Sequence, residues 1–274
     1  LFTLIVLAGA FLAGLVGSLT GLGGGVIIIP LLTLVLGVDI QYAIGASLIS
    51  VIATSSGSAA AYVKEGITNI RIGMFLEVAT TISAIFGAVI TVFINPSYIA
   101  VVFGLILLFS AVMMVRKKVD RSDNDTSGKL AMFFKLNGTY PYEGEVKYYA
   151  VHNVIGGFFM MFVAGIISGM LGIGSGALKV LAMDNIMRIP FKVSTTTSNF
   201  MMGVTAAASA VVYFHRGQID PGIAMPVTLG VLFGATVGSK ILVKAKTDKL
   251  KIVFAVVVTF LALQMIYNGL SGNL

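Results

Sequence analysis

The chain of 274 residues is 57% hydrophobic and only 11% charged, and its mean hydropathy is +1.00. A soluble domain carries about 25% charged residues, so this composition excludes a large soluble core and indicates an integral membrane protein. The sequence has no cysteine, which excludes disulfides and thiolate metal sites. The net charge of +7 comes from basic residues concentrated in the predicted loops. This distribution indicates membrane topology rather than nucleic-acid binding.

Ten apolar segments follow one another along the chain. A helix needs about 20 apolar residues to cross a bilayer, and eight of the segments are long enough. The second and seventh have about a dozen residues each and are interpreted as half-helices of about 18–20 Å. The sequence therefore predicts an all-α, polytopic helical bundle. The segments are 1–20, 25–37, 41–63, 72–94, 97–115, 149–170, 176–187, 193–214, 220–244 and 250–270.

The only long polar stretch divides these segments into two groups of five. It covers 116–148 and is too small for a domain of its own, so we interpret it as a linker. The predicted organisation is a first transmembrane repeat at 1–115, the linker, and a second transmembrane repeat at 149–274.

Basic residues give the predicted orientation. With the linker on the cytoplasmic side, the cytoplasmic connections hold 16 of the 18 lysines and arginines. This is a strong positive-inside asymmetry. It predicts a multi-pass protein of the cell membrane with a cytoplasmic linker and both termini external.

An internal repeat relates the two halves at a single offset of 151 residues, without gaps over about 80 residues. "AGLVGSLTGLGGG" at 13–25 falls on "AGIISGMLGIGSG" at 164–176. Because each half has five segments, the second half enters the membrane from the opposite side. Two inverted five-segment repeats are a known plan of secondary transporters, whose substrate site lies at the midplane between broken or re-entrant helices.

Each glycine motif interrupts an apolar segment just before a half-helix. Non-helical backbone at membrane depth must be buried in protein or line a wet cavity, and the start of a helix offers unpaired N–H groups that favour anions. The alternative is close helix packing through small residues. On the first interpretation the candidate substrate-binding residues at the two breaks are Thr20, Gly21, Gly23, Gly24, Gly25, Gly172, Gly174, Ser175 and Gly176.

The paired motifs resemble the signature of the sulfite exporter TauE/SafE family. The resemblance is carried by "GLVGSLTGLGGGVIIIPLLTLVLGVDIQYAIGASL" and its counterpart "GIISGMLGIGSGALKVLAMDNIMRIPFKVSTTTSN". It implies a membrane permease for sulfur-containing anions such as sulfite, sulfonates or thiosulfate. Two departures stand out, because Ser175 replaces a third glycine and 179–181 lacks the proline that Pro30 supplies in the first half.

Lys179 is the most informative single position, because a charged residue in the membrane costs a few kcal/mol at least. It either pairs with an oxyanion or a buried carboxylate, or it snorkels to water from a shallow half-helix. Its counterpart in the first half is Ile28. Glu77 either carries a coupling proton or lies at an interface near the cytoplasmic surface, and we favour the second.

Hydroxyl and amide side chains follow both half-helices. Ser198 and Asn199 lie in the eighth segment, and Ser47 occupies the repeat-related position of Ser198 in the third. These groups can donate hydrogen bonds to sulfonate-type oxygens. The alternative is helix capping and hydrogen bonding between helices.

The sequence therefore predicts a secondary transporter and no enzyme, cofactor or metal centre, since it lacks nucleotide-binding and metal motifs. The expected partners are a small anionic substrate, the lipid bilayer and a coupling proton, and no nucleic acid. Two alternatives stay open: a cation-coupled carrier or exchanger of another small solute such as a carboxylate, and a membrane assembly protein that transports nothing.

Overall fold

The computed structural model describes residues 2–20, 23–115, 127–142, 145–244 and 248–272. Within this part, eleven α-helices and one two-stranded antiparallel sheet make up the fold. The helices are α1 (Phe2–Thr20), α2 (Gly25–Pro30), α3 (Ile40–Lys64), α4 (Ile70–Ile90), α5 (Pro96–Val115), α6 (Lys129–Phe133), α7 (Val154–Leu171), α8 (Gly176–Leu181), α9 (Phe191–His215), α10 (Pro221–Lys244) and α11 (Asp248–Ser271). The strands are β1 (Gly138–Tyr142) and β2 (Glu145–Tyr149).

The all-α membrane architecture is confirmed, with a helix at each of the ten predicted segments. Among the described residues, four helices are long and apolar enough to span a bilayer: α3, α4, α7 and α10. Large apolar side chains are exposed on them, including Phe86, Phe159 and Phe233. Such a surface suits lipid rather than water. It stays a prediction that four further helices cross the membrane, namely α1, α5, α9 and α11. The orientation of the termini also stays a prediction.

Both short segments form half-helices. Each has six α-helical residues, in α2 and α8, followed by a π-helical turn at Leu31–Val35 or Ala182–Ile186. The combined length of 11 residues corresponds to ~16 Å, about half the thickness of a bilayer core. Pro30 ends α2, but α8 ends on Leu181 and passes into the same kind of turn. The π-helical turn therefore does not require a proline.

The 151-residue offset of the sequence also relates elements and contacts in the structure. α8 and α9 begin and end 151 residues after α2 and α3. The Tyr62 hydroxyl donates to the Ser18 carbonyl, and the Tyr213 hydroxyl donates to the Gly169 carbonyl, both at the end of the helix before a break. The opposite orientation of the halves in the membrane stays a prediction.

The two halves are interleaved rather than side by side. α1 packs along α10 and α4 packs along α7, so each pair joins one helix from each half. Close approach depends on small residues: a Cβ at Gly87 would collide with the Ile166 carbonyl, and one at Gly238 would lie 2.5 Å from the Leu15 carbonyl. Close packing therefore accounts for these two glycines.

Two clusters of buried apolar residues form the interior. The larger one draws mainly on α1, α2, α3, α5, α10 and α11. The smaller one draws on α4, α7, the start of α9, the π-helical turn after α8 and the linker. α9 contributes to both clusters, and so does α8 together with the π-helical turn after it. α8 and α9 therefore lie where two packed bodies meet.

The described part of the linker docks on the second body, and 116–126 lies outside the described residues. Asn69 caps α4 by accepting from the Ile72 N–H, and its amide donates to the Leu136 carbonyl and the Tyr149 hydroxyl. Phe134, after α6, stacks on Phe75 with ring centroids 4.9 Å apart. The linker is thus attached to the start of α4.

Candidate functional site

Each break is a turn built on left-handed backbone. Gly23 has a φ of +83° and its repeat-related residue Gly174 a φ of +71°. An L-residue with a Cβ rarely adopts such angles, which explains why glycine stands at these positions. The helix before each break therefore ends abruptly, and a new half-helix begins at Gly25 or Gly176.

The two breaks contact each other. The Ser47 hydroxyl donates to the Gly172 carbonyl over 2.6 Å. A Cβ at Gly25 would touch the Ser47 hydroxyl and lie 3.0 Å from that same carbonyl, and one at Gly23 would lie 3.3 Å from the Ile173 carbonyl. The structure thus brings together Gly23, Gly25, Ser47 and Gly172, four of the predicted site residues.

Polar side chains of α9 line the meeting point. The Asn199 amide donates to the Ser18 carbonyl over 3.2 Å, which links the second half to the end of α1. The Ser198 hydroxyl lies 3.3 Å from the Gly176 carbonyl. Both side chains are fully buried. Both side chains therefore make hydrogen bonds between helices, which was the alternative to substrate binding.

Three buried polar atoms near the breaks have no hydrogen-bond partner among the described residues: Ser175 Oγ, Thr195 Oγ1 and Asn199 Oδ1. Ser175 is 2% exposed and directly precedes α8. Buried polar groups in proteins nearly always have a partner, which is often a water or a ligand. The arrangement can therefore accept and donate hydrogen bonds to a small polar guest.

Lys179 is completely buried, so the snorkelling alternative is wrong. Its ammonium Nζ donates to Thr205 Oγ1 over 2.5 Å and lies 3.6 Å from Glu77 Oε2. Glu77 is itself buried within the protein, and its position near the cytoplasmic surface stays a prediction. Its other oxygen, Oε1, accepts from Thr205 and Thr81. α4, α8 and α9 thus bring one cation and one anion together in the interior.

Thr205 is the functional candidate that the sequence interpretation missed. Its hydroxyl bridges the two charges, because it accepts from Lys179 and donates to Glu77. In the sequence, the signal for this residue was its match with Thr54 at the 151-residue offset.

Of the predicted site residues, Gly21 and the side chain of Thr20 lie outside the described residues. The Gly24 carbonyl accepts from the N–H groups of Ile27 and Ile28.

Ser175 adopts a backbone conformation that a side chain disfavours. Its φ is +47°, a left-handed region that costs an L-residue roughly 1–2 kcal/mol. We expect Ser175→Gly to raise the melting temperature of the protein, since glycine removes this strain and the unpartnered hydroxyl. Glycine also has a larger backbone entropy in the unfolded chain, which offsets part of this effect. We therefore expect the free energy of unfolding to rise by about 0.5–1 kcal/mol.

The measurement is a thermal unfolding curve in detergent, with Ser56→Gly as the matched control. Ser56 is exposed within α3, where glycine lowers helix stability. The two variants should therefore move in opposite directions. A lower melting temperature for Ser175→Gly would show that the hydroxyl stabilises this turn.

Comparison with known proteins agrees with this geometry. The family model of the sulfite exporter TauE/SafE family matches residues 6–265. The chain is 30% identical to the probable membrane transporter protein YunE of Bacillus subtilis (strain 168), over 98% of each chain. It is 24% identical to probable membrane transporter protein MJ0441 of Methanocaldococcus jannaschii, over 97% of this chain and 96% of the relative.

A second relative from Bacillus subtilis, probable membrane transporter protein YdhB, is 24% identical over 86% of this chain and 89% of its own. No solved structure matches the chain significantly. The family and the names of the relatives indicate a transporter and not an enzyme. The chain therefore belongs to the sulfite exporter TauE/SafE family and is a membrane transporter.

Proposed function

We propose that the protein is a secondary transporter of small sulfur-containing anions, such as sulfite, sulfonates or thiosulfate. The anion binds where the two helix breaks meet, after the close contact between Gly25 and Gly172 opens and the hydroxyls of Ser47 and Ser175 turn towards the anion. The observation that carries this proposal is the contact between the breaks, surrounded by buried hydroxyl and amide groups without full hydrogen bonding. The substrate class comes from the family resemblance.

Several features favour an anion over a cation. Lys179 is a buried cation one helical turn after Ser175, whose carbonyl accepts from the Lys179 N–H over 3.0 Å. The hydroxyls of Ser47 and Ser198, which now donate to backbone carbonyls, can turn to donate to oxyanions. Each half-helix also directs the positive end of its backbone dipoles towards its break.

Alternating access follows from the packing of helices of one half against helices of the other. Because the halves interleave, the two moving bodies each combine helices of both halves, and they correspond to the two apolar clusters. Rocking of one body against the other opens the site to each side of the membrane in turn. A proton moving with the anion supplies the driving force.

A thermal-shift screen on the purified protein tests the substrate class. The screen includes sulfite, thiosulfate, sulfoacetate, taurine, sulfate and a set of carboxylates. A ligand that binds only the folded state stabilises it by about 2.7 kcal/mol at 100 times its Kd, so we expect sulfur oxyanions to raise the melting temperature. Counterflow of the same anions in proteoliposomes checks that binding leads to transport.

Ser47→Ala should reduce the shift, whereas Ser56→Ala should keep it. Both serines lie on α3, but Ser56 is exposed and its hydroxyl donates to the Ile52 carbonyl within the helix. Stabilisation by carboxylates alone would contradict the proposed substrate class. Absence of counterflow for every anion tested would contradict anion transport itself.

A further inference from the structure

Burying the ion pair of Glu77 and Lys179 in the interior is energetically unfavourable. Both side chains are buried, and they belong to helices of different halves. Removing two charges from water costs several kcal/mol for each ion, and a buried pair rarely stabilises a fold more than apolar residues would. Ionisable groups within membrane segments mark ion or proton pathways by default.

The internal repeat shows that the fold does not need these charges. At the 151-residue offset, Lys179 corresponds to Ile28, Thr205 to Thr54 and Glu77 to Thr228. The repeat-related positions Ile28, Thr54 and Thr228 therefore keep the bridging threonine and have neither charge. Since Ile28 is fully buried and α2 packs on α3 as α8 packs on α9, the same architecture is stable with neutral side chains.

We propose that Glu77 is the proton-binding group of the transporter, and that its carboxylate and the substrate anion compete for the ammonium of Lys179. This inference rests on the proposed function. Without substrate, Lys179 pairs with ionised Glu77. When Glu77 takes a proton from the aqueous side, Lys179 becomes free to pair with the anion at the break.

The charge of the buried site supports this exchange. An ionised Glu77 and a charged Lys179 sum to zero. With a neutral Glu77 and a charged Lys179, a monovalent anion also brings the sum to zero. A dianion such as thiosulfate leaves −1, instead of the −2 that it would leave beside an ionised Glu77, so the proton reduces the buried charge in both cases. Binding either one alone would leave an uncompensated charge, which is the costly state.

The hydrogen bonds around Glu77 suit a proton acceptor. Oε1 is held by the hydroxyls of Thr205 and Thr81, whereas Oε2, which faces Lys179 at 3.6 Å, accepts no hydrogen bond from the described residues. Oε2 is therefore the oxygen that a proton can reach. Glu77 lies seven residues into α4, about 10 Å from the start of that helix.

No other charged group competes for this role on the helices packed against α4. α7 contains no titratable side chain. α9 carries Lys192, Tyr213 and His215 near its two ends, away from Thr205. On α4 itself, Arg71 is exposed near the first turn. Among the described residues, Lys179 is thus the charge that faces Glu77.

The test measures thiosulfate binding by thermal shift at a series of pH values, because the charge of thiosulfate does not change between mildly acidic and mildly alkaline pH. For the unmodified protein, if one proton is taken up with each anion, the affinity weakens by about ten-fold for each unit by which the pH rises. We expect Glu77→Gln to bind thiosulfate tightly and independently of pH, since glutamine mimics the protonated acid.

Glu65→Gln is the matched control, because Glu65 is exposed after α3 and should leave the pH dependence unchanged. In proteoliposomes, an acidic exterior should accelerate thiosulfate uptake by the unmodified protein and not by Glu77→Gln. The double variant Lys179→Ile with Glu77→Thr copies the neutral residues at the repeat-related positions, Ile28 and Thr228. It should fold and bind no thiosulfate, which separates loss of function from misfolding.

The outcomes distinguish this inference from the function on which it rests. Thiosulfate binding whose pH dependence survives in Glu77→Gln would overturn the inference alone, and so would tight binding by the double variant. Absence of binding of every sulfur oxyanion of the thermal-shift screen by the unmodified protein, at every pH, would contradict the proposed function, and the inference with it.

Discussion

Replacing Lys179 by isoleucine should strongly destabilise the protein, and adding Glu77→Thr should restore its stability. The single change leaves Glu77 buried without the ammonium 3.6 Å from its Oε2. Removing one partner of a buried pair costs about 3–5 kcal/mol, whereas replacing both by neutral residues is often neutral or stabilising. Thermal unfolding of the three proteins in the same detergent measures the effect.

Lys64→Ile is the control for this series, because Lys64 is exposed at the end of α3. Its melting temperature should stay close to that of the unmodified protein. If Lys179→Ile unfolds at the same temperature as Lys64→Ile, Glu77 is held neutral or hydrated without its partner. That result would remove the energetic basis of the ion pair.

The sequence could predict the breaks because their cause is local. Two glycine motifs inside apolar segments, each followed by a dozen apolar residues, predicted turns and half-helices at 25–37 and 176–187, and the structure confirms half-helices there. The 151-residue offset of the internal repeat showed that the two glycine motifs occupy equivalent positions, so both breaks could be predicted together. Lys179 could likewise be singled out, because a lone cation within an apolar segment needs a physical reason.

The partner of Lys179 could not be predicted in this way. Glu77 lies 102 positions earlier in the chain, and its distance from Arg71 suggested a site near the surface. Its burial depends on α4 packing along α7 rather than beside helices of its own half. Nothing in the hydrophobic pattern of α4 says which half covers it, since any apolar neighbour would satisfy that pattern.

The interleaving of the halves also explains why the bridging role of Thr205 was missed. A threonine within an apolar helix usually donates to the carbonyl four residues before it, and Thr205 lies 3.3 Å from the Met201 carbonyl. Its contacts with Lys179 and Glu77 come from two other helices. Only the three-dimensional arrangement distinguishes this threonine from Thr54.

Gly25→Ala should strongly slow transport, because in this conformation the two breaks meet without room for one more carbon atom at Gly25. A Cβ at this position would collide with the Ser47 hydroxyl and lie 3.0 Å from the Gly172 carbonyl and 3.1 Å from Ile173 Cα. Two of these three atoms are backbone and cannot move away by rotating a side chain. Overpacking of this kind costs about 1–3 kcal/mol, and it forces apart the groups that bind the anion.

The decisive measurement is thiosulfate counterflow by Gly25→Ala beside Gly57→Ala. Gly57 lies within α3, and its added Cβ would have its nearest neighbours at 3.4 Å, an ordinary contact distance. Alanine also favours a helix over glycine by about 1 kcal/mol, so this control should keep its transport and its stability. Because 1.4 kcal/mol corresponds to a factor of ten, a cost of about 1–3 kcal/mol should lower counterflow by Gly25→Ala by about 5- to 150-fold. Equal rates for the two variants would mean that the anion passes elsewhere than between the breaks.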